Sequence, residues 1–283
     1  MMINSHETTA KPFLRWAGGK TWLVKRLSET LNKQKFVQYH EPFLGGGAMF
    51  FSLCNFEKSY LSDYNTDLIN AYKQVRDNPD LVLSHLKKHT NTKEHYYYVR
   101  DGFNPISLHG QASRFIYLNQ TSFNGIYRVN LNGKYNVPYG FRKKEFYDRT
   151  VVSIASEKLQ GSQISDCDFY NSIQHVQKND LVFLDPPYTI THNNNGFFKY
   201  NEQLFSKSDQ YRLSKYIDEV KEIGAYFILT NAAHAEIKKI FDKGDNVIEL
   251  SRASLIGGRN ASRGKYSELL FTNIHGLDEI TSS

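Results

Sequence analysis

Apolar positions along the chain follow two rhythms. Leu23, Leu27 and Leu31 recur at four-residue steps and predict an amphipathic helix over about 21–32. Short apolar runs bounded by polar or glycine residues predict strands at 36–44, 59–61, 163–165, 181–184, 225–229, 247–250 and 267–272. Helical stretches are expected at 48–55, 150–159 and 208–222, with one more between the strands at 225–229 and 247–250. Strands alternating with helices predict an α/β sheet of mostly parallel strands with helices on both faces. Between about 68 and 115 the pattern is helical without strands, so an additional segment interrupts the alternation.

One strand stops abruptly: Leu181 to Leu184 are apolar, and Asp185-Pro186-Pro187-Tyr188 follow. Neither proline has a backbone N–H, and Pro187 pushes Pro186 towards an extended backbone, so the turn is stiff and its carbonyls point in fixed directions. Beside them lie a carboxylate, which only accepts hydrogen bonds, and an aromatic ring. A flat exocyclic amine, as on adenine or cytosine, fits that set. Asp185 and a backbone carbonyl would accept its two protons, and Tyr188 would stack on its ring. A merely rigid turn is the plainer reading of the same four residues.

The strand expected at 36–44 runs into Gly45-Gly46-Gly47, an arrangement that lets bare backbone approach a nucleotide-like ligand. Asp63 ends the next strand, and an acidic residue at that offset suits a ribose diol; the competing role is a helix cap for the segment at 66–68. Gly18-Gly19-Lys20 before the first helix offers N–H groups and a cation to an anion, or is a simple turn into the helix; it lacks the spacing of a phosphate-binding Walker loop. Asp166 to Phe169 form a second polar strand end on the side expected to bind ligands.

Between 114 and 144 arginine, lysine and asparagine interleave with aromatic residues, a mixture that can stack bases and grip phosphates. Asn124-Gly125 and Asn132-Gly133 are turn dipeptides, and alternating Tyr127, Val129 and Leu131 predict a hairpin that exposes Arg128, Asn130, Lys134 and Asn136. Such an arm fits a major groove. Lys87, Lys88, His89 and Lys93 are expected on a solvated helix face. A basic loop at 252–265, with Arg259 and Arg263, is a further phosphate contact or an ordinary solvated loop. The loop at 189–200 is expected to be mobile until substrate covers it.

Composition adds bounds. With 283 residues and 35 Lys+Arg against 29 Asp+Glu, the formal charge is +6, which favours a polyanionic partner. No apolar run reaches the roughly 18 residues of a membrane span, and the first eleven residues are polar, so a cytoplasmic protein is expected. Cys54 and Cys167 have no metal-ligand or disulfide spacing and are expected as small core fillers; no metal is required.

A glycine-rich strand end and an Asp-Pro-Pro-Tyr strand end on one sheet suggest methyl transfer from S-adenosylmethionine to a planar amine. The motifs KPFLRWAGGK, EPFLGGGAMFF, LSDYNTDLINAY, FNGIYRVNLNGKYNVPYG, DPPY and SRGKYSELLFTN, in that order from Lys11 to Asn273, resemble the Dam-type DNA adenine-N6 methyltransferase family. The resemblance implies a Rossmann-like catalytic domain at 11–68 and 150–275, with a target-recognition insertion at 69–149. It implies cofactor contacts from Trp16, Ala17, Gly18, Lys20, Phe43, Gly45, Gly47, Asp63, Asp168, Phe169 and Asp185. A flipped adenine would meet Asp185, Pro186, Pro187 and Tyr188. Double-stranded DNA would be read by Asn124, Gly125, Arg128, Asn130, Asn136 and Pro138, in the pattern of relatives acting on GATC, with Arg142, Lys143, Arg259 and Arg263 on phosphates. Relatives commonly carry arginine directly after the VPxG glycine, where this chain has Phe141. Cytosine-N4 methylation, RNA-adenine methylation and a non-catalytic DNA-binding role remain alternatives. A restriction endonuclease of the same site would be a functional partner.

Overall fold

The computed structural model describes residues 10–16, 20–53, 56–188, 205–253 and 265–277. Nine α-helices are described: α1 (Thr21–Leu31), α2 (Ala48–Ser52), α3 (Thr66–Asp77), α4 (Pro79–Leu86), α5 (Lys93–Asp101), α6 (Leu108–Thr121), α7 (Arg149–Leu159), α8 (Lys207–Ile223) and α9 (Ala235–Phe241). Seven strands form one sheet: β1 (Tyr39–Glu41), β2 (Ser59–Asp63), β3 (Ser162–Asp166), β4 (Leu181–Leu184), β5 (Tyr226–Ala232), β6 (Asn246–Ala253) and β7 (Lys265–Thr272). Their order is β3-β2-β1-β4-β5-β7-β6. β1 runs parallel to β4 and β4 to β5, while β7 lies antiparallel between β5 and β6.

Packing divides the described residues into two compact units, one drawn from Met1–Lys33, Leu44–Asn55 and Leu61–Cys167, the other from Gln34–Phe43, Phe56–Tyr60 and Asp168–Ser283. The expected insertion at 69–149 lies wholly within the first. In that unit the apolar faces of α3, α4 and α6 pack together, burying Leu68, Tyr72, Val75, Val82, Leu86, Ile116 and Tyr117. Four of these helices start where a side chain supplies a missing acceptor: Asn65 caps α3, Thr92 caps α5, Ser107 caps α6 and Asp148 caps α7. In the second unit α8 and α9 lay Leu213, Tyr216, Ile217, Val220, Ile237 and Phe241 over the apolar residues of β4, β5 and β7. A Ser206–Asp209 capping box opens α8, and left-handed Gly224 closes it.

All seven expected strands are present, with corrected lengths. The run at 36–44 contributes only Tyr39–Glu41, because the chain turns at Pro42 and Phe43 towards the glycines. β5 extends past the apolar run to include Thr230 and Asn231. The helical stretch at 68–115 is four helices separated by short breaks at 78, 87–92 and 102–107. The arm at 127–136 holds one isolated antiparallel bridge, Val129 with Tyr135, rather than paired strands. Its Asn130–Gly133 turn is closed by the Gly133 N–H donating to Asn130 O and tightened by the Asn130 side chain, which accepts from Asn132 and Lys134. Cys167 is half-buried rather than a core filler. No helix among the described residues is long and apolar enough to cross a membrane.

Candidate active site and DNA-reading segment

In the first unit the glycine turn is built on an aspartate. The Gly45 N–H donates to Asp63 Oδ2 at 3.0 Å, and the Asn65 N–H donates to Asp63 Oδ1 at 3.0 Å. The capping role considered for Asp63 belongs instead to Asn65, which accepts from the Leu68 N–H. Burial pushes the Asp63 carboxyl above its ordinary value, against backbone N–H groups that pull it down. The Tyr64 N–H is a third backbone donor to the carboxylate, whose two oxygens offer about four acceptor sites in all, so vicinal hydroxyls still fit.

The glycines are dictated by Trp16. A Cβ on Gly45, at φ +47°, would stand 2.8 Å from the Trp16 ring, and one on Gly46 would stand 2.9 Å from Trp16 Cβ. Trp16 is itself held by Phe115 and Tyr127, with ring centroids at 6.3 and 5.9 Å. Tyr72 donates its hydroxyl to Gly45 O at 3.1 Å and blocks any Cβ on Gly47. The Gly47 N–H is taken by Leu44 O. Two of the three glycine N–H groups therefore brace the turn itself, and the glycines serve close packing more than ligand approach. Lys20 is buried, 4% exposed, and its carbonyl accepts the first N–H groups of α1. Ala17 and Gly18 lie outside the described residues.

A cavity of about 390 Å³ in this unit is lined by Pro12, Leu14, Arg15, Trp16, Gly46, Ala48 and Asn124. Trp16, expected at the cofactor, and Asn124, expected at DNA, thus face one space. The two segments, more than a hundred residues apart in the chain, are joined by a dense set of hydrogen bonds. Asn119 accepts from the Arg15 N–H and donates to Arg15 O and Gly125 O, Gln120 donates to Phe13 O, and the Arg15 guanidinium donates to Gln120 O and Ser122 O. Gly125, at φ +65°, is required because a Cβ would lie 2.5 Å from Arg15 Cβ. Sequence reading missed Arg15, Tyr72, Asn119 and Gln120; polar Asn119 and Gln120 inside the otherwise apolar end of α6 were the available signal.

Arg128 and Asn136 were expected to be exposed, and the structure corrects this: both are half-buried because Arg128 Nε donates to Asn136 Oδ1 at 2.8 Å across the arm. Asn130 and Lys134 are exposed, as are Asn124 and Pro138. Arg142 is half-buried with its guanidinium on Gln120 Oε1 at 2.8 Å, whereas Lys143 is exposed. His89 does not lie on a solvated face: it stacks on Tyr117 and meets His95 at 3.0 Å. Arg259, Arg263 and the loop at 189–200 lie outside the described residues.

In the second unit Asp185 follows directly on β4, and Thr230 on neighbouring β5 donates its hydroxyl to Asp185 Oδ1 at 2.7 Å. Asn231, fully buried, donates to Gln210 of α8 and accepts from the Ala232 N–H, which locks the end of β5. Thr230 and Asn231 are the second pair that sequence reading missed; two polar residues closing an apolar strand were the sign. Pro186 is buried, and Pro187 and Tyr188 are half-buried. Nearby in the same unit Phe43 stacks on Phe169 at 5.2 Å, with Phe205 edge-on to Phe43 at 5.5 Å. Asp168 caps the turn after it through the Tyr170 N–H and is gripped by both guanidinium nitrogens of Arg212, at 2.8 and 3.3 Å. Asp168, Tyr170, Asn171, Arg212 and Lys215 line an open cavity of about 620 Å³. An aromatic platform beside a carboxylate fits a purine; among the described residues no cluster of metal ligands occurs.

Residues 16–254 match the family described as D12 class N6 adenine-specific DNA methyltransferase. The chain is 32% identical over 282 residues to the type II methyltransferase M1.LlaDCHI of Lactococcus lactis subsp. cremoris, covering 96% of this chain and 98% of that one. It is 33% identical over 286 residues to the type II methyltransferase M.MjaIII of Methanocaldococcus jannaschii, covering 93% and 99%. A DNA adenine methylase of Vibrio cholerae is 29% identical over 267 residues, covering 92% and 95%. By a family match and relatives that span most of its length, the chain belongs to the D12 class N6 adenine-specific DNA methyltransferases.

Proposed function

We propose that the protein transfers the methyl group of S-adenosylmethionine to N6 of an adenine turned out of duplex DNA, within GATC. The observation that carries the reading is Asp185, placed at the end of β4, oriented by the Thr230 hydroxyl and followed by two prolines. Asp185 accepts one amino proton and a carbonyl of the proline turn accepts the other. Drawing both hydrogens into acceptors makes the nitrogen more tetrahedral and releases its lone pair from the ring. Tyr188 stacks on the base and offsets roughly 1–3 kcal/mol of the few spent on extrusion.

S-adenosylmethionine, when bound, supplies an electrophilic methyl carbon on a sulfonium. Asp63 would hold its ribose hydroxyls, Phe43 and Phe169 its purine, Asp168 the purine amine, and Trp16, Lys20 and the turn at Gly45 and Gly47 its remaining part. Arg128, pre-set by Asn136, reads a guanine, with Asn124, Gly125, Asn130 and Pro138 along the same arm; the NGxxRxN…NVPxG pattern supports GATC. Lys143, Arg142, Arg259 and Arg263 are assigned to phosphates. Two relatives are named type II methyltransferases, which favours a restriction endonuclease of the same site as functional partner.

The test is to incubate the purified protein with S-adenosylmethionine and duplexes that contain or lack GATC, then digest to nucleosides. N6-methyladenine confined to GATC duplexes is expected. N4-methylcytosine, preference for RNA, or no transfer at saturating enzyme would each overturn the reading.

A further inference from the structure

Two non-glycine residues of the recognition segment adopt left-handed backbone, Asn124 at φ 55° and Phe141 at φ 53°. Asparagine tolerates that region; a phenylalanine there is an outlier that persists only where its surroundings impose it. The surroundings do so. Residues 121–123 and 138–140 form a tight antiparallel contact, with a Ser122–Tyr139 bridge, the Phe123 N–H on Pro138 O at 2.9 Å and the Gly140 N–H on Thr121 O at 2.8 Å. The two backbones touch so closely that a Cβ on Gly140 would lie 2.4 Å from Ser122 O. On the far side, Asn91 Nδ2 donates to Arg142 O at 2.7 Å, and Tyr139 donates its hydroxyl to Asn91. Phe141 is the single residue between these two fixed points.

The result inverts the usual placement of side chains. The cation, Arg142, is turned inward onto Gln120, and the phenyl ring is turned outward, 69% exposed, with only one edge resting on Tyr139 at 4.9 Å. Single exposed rings are ordinary on a surface, but this one is held outward by a strained backbone conformation, and strain of that kind clusters at binding and catalytic sites. Lys143 and Lys144 follow at once and are exposed, so the ring stands beside two cations. A flat apolar face flanked by positive charge matches an unstacked base flanked by phosphates.

We propose that Phe141 is a DNA-contact residue that stacks on a base face exposed where the duplex is locally unstacked. This rests on the reading of the chain as a DNA methyltransferase whose segment at 69–149 reads the duplex. Removing the ring removes one stacking contact while leaving the arm, the glycine turn and Asp185 untouched.

The experiment uses the full chain with Phe141→Gly and Phe141→Trp, a fluorescent duplex that the wild type methylates, and thermal unfolding of each variant. Glycine is unstrained at φ 53°, so Phe141→Gly is expected to unfold at the same or a higher temperature than the wild type while binding the duplex roughly 5- to 100-fold more weakly. Phe141→Trp is expected to bind like the wild type and to show tryptophan emission, beyond that of Trp16 and Trp22, quenched when DNA is added. Wild-type-like affinity of Phe141→Gly, or unquenched emission from Phe141→Trp, overturns the assignment alone. Failure of the wild type to bind or methylate any duplex overturns the DNA reading and this inference with it.

Discussion

A short side chain decides how the central carboxylate faces. Thr230 donates to Asp185 Oδ1 at 2.7 Å, which fixes the direction in which the carboxylate presents its acceptor oxygens. Asp185→Ala is expected to keep cofactor affinity, measured by calorimetry, and to lose methyl incorporation, since Asp63 and the glycine turn belong to other strands; retained turnover would sink the role. Thr230→Val keeps shape and removes only the hydroxyl. Loss of one bond to a charged acceptor, roughly 1.5–3 kcal/mol, predicts a kcat about 10- to 100-fold lower with cofactor affinity unchanged. An equal fall in both quantities would mean that β5 itself had shifted.

At the scale of elements, the turn between β1 and α2 and the arm at 127–136 make different demands on their glycines. Gly45 and Gly133 both have positive φ, but only Gly45 faces a packed neighbour, Trp16; Gly133 has nothing within 4 Å of a would-be Cβ. Gly133→Ala is expected to cost about 1 kcal/mol of strain, and Gly45→Ala roughly 1–3 kcal/mol more from the clash, read as the difference in chemical denaturation midpoints. Equal losses would show that Trp16 moves aside freely. In the loop between α4 and α5, His89 is held to a pKa of about 4 by burial, with neighbouring His95, His85 and Lys88 adding repulsion, and burial also lowers His95. Its folded value lies below the ordinary 6.5, so the unfolded chain takes up the proton first. Stability is therefore fully present above about pH 6.5 and declines as pH falls towards 4. His89→Gln is expected to flatten the dependence of unfolding temperature on pH across that window, whatever it does to stability at pH 7; an unchanged slope would remove His89 as its source.

For the whole molecule, the charge of +6 gives DNA affinity a salt dependence without giving it sequence. Phosphate contacts and base contacts separate experimentally. Lys143→Ala is expected to lower affinity evenly across sequences and to reduce the magnitude of the slope of log affinity against log salt by about 1. Arg128→Ala is expected to flatten the preference for cognate over altered sites by about 1–3 kcal/mol, with little change in that slope. Competition binding at several salt concentrations distinguishes the two, and exchanged outcomes would reverse the roles.

Local pattern was enough to place seven strands, the helices around them and the Asp-Pro-Pro-Tyr end of β4, because those features depend on period and on backbone chemistry within a few residues. It was also enough to mark Gly45 to Gly47 and Asp63, since few residues tolerate such a turn. What it could not supply were partners distant in the chain. Thr230 beside Asp185, Tyr72 beneath Gly45, Asn119 between Arg15 and Gly125, and Asn136 clasping Arg128 are hydrogen-bond pairings that exist only once β4 lies along β5 or the arm folds back. The inward turn of Arg142 and outward turn of Phe141 belong to the same class. Adjacent residues of opposite polarity suggest the reverse arrangement, and only the tertiary clasp of residues 121–123 on 138–140 forces the backbone that produces it.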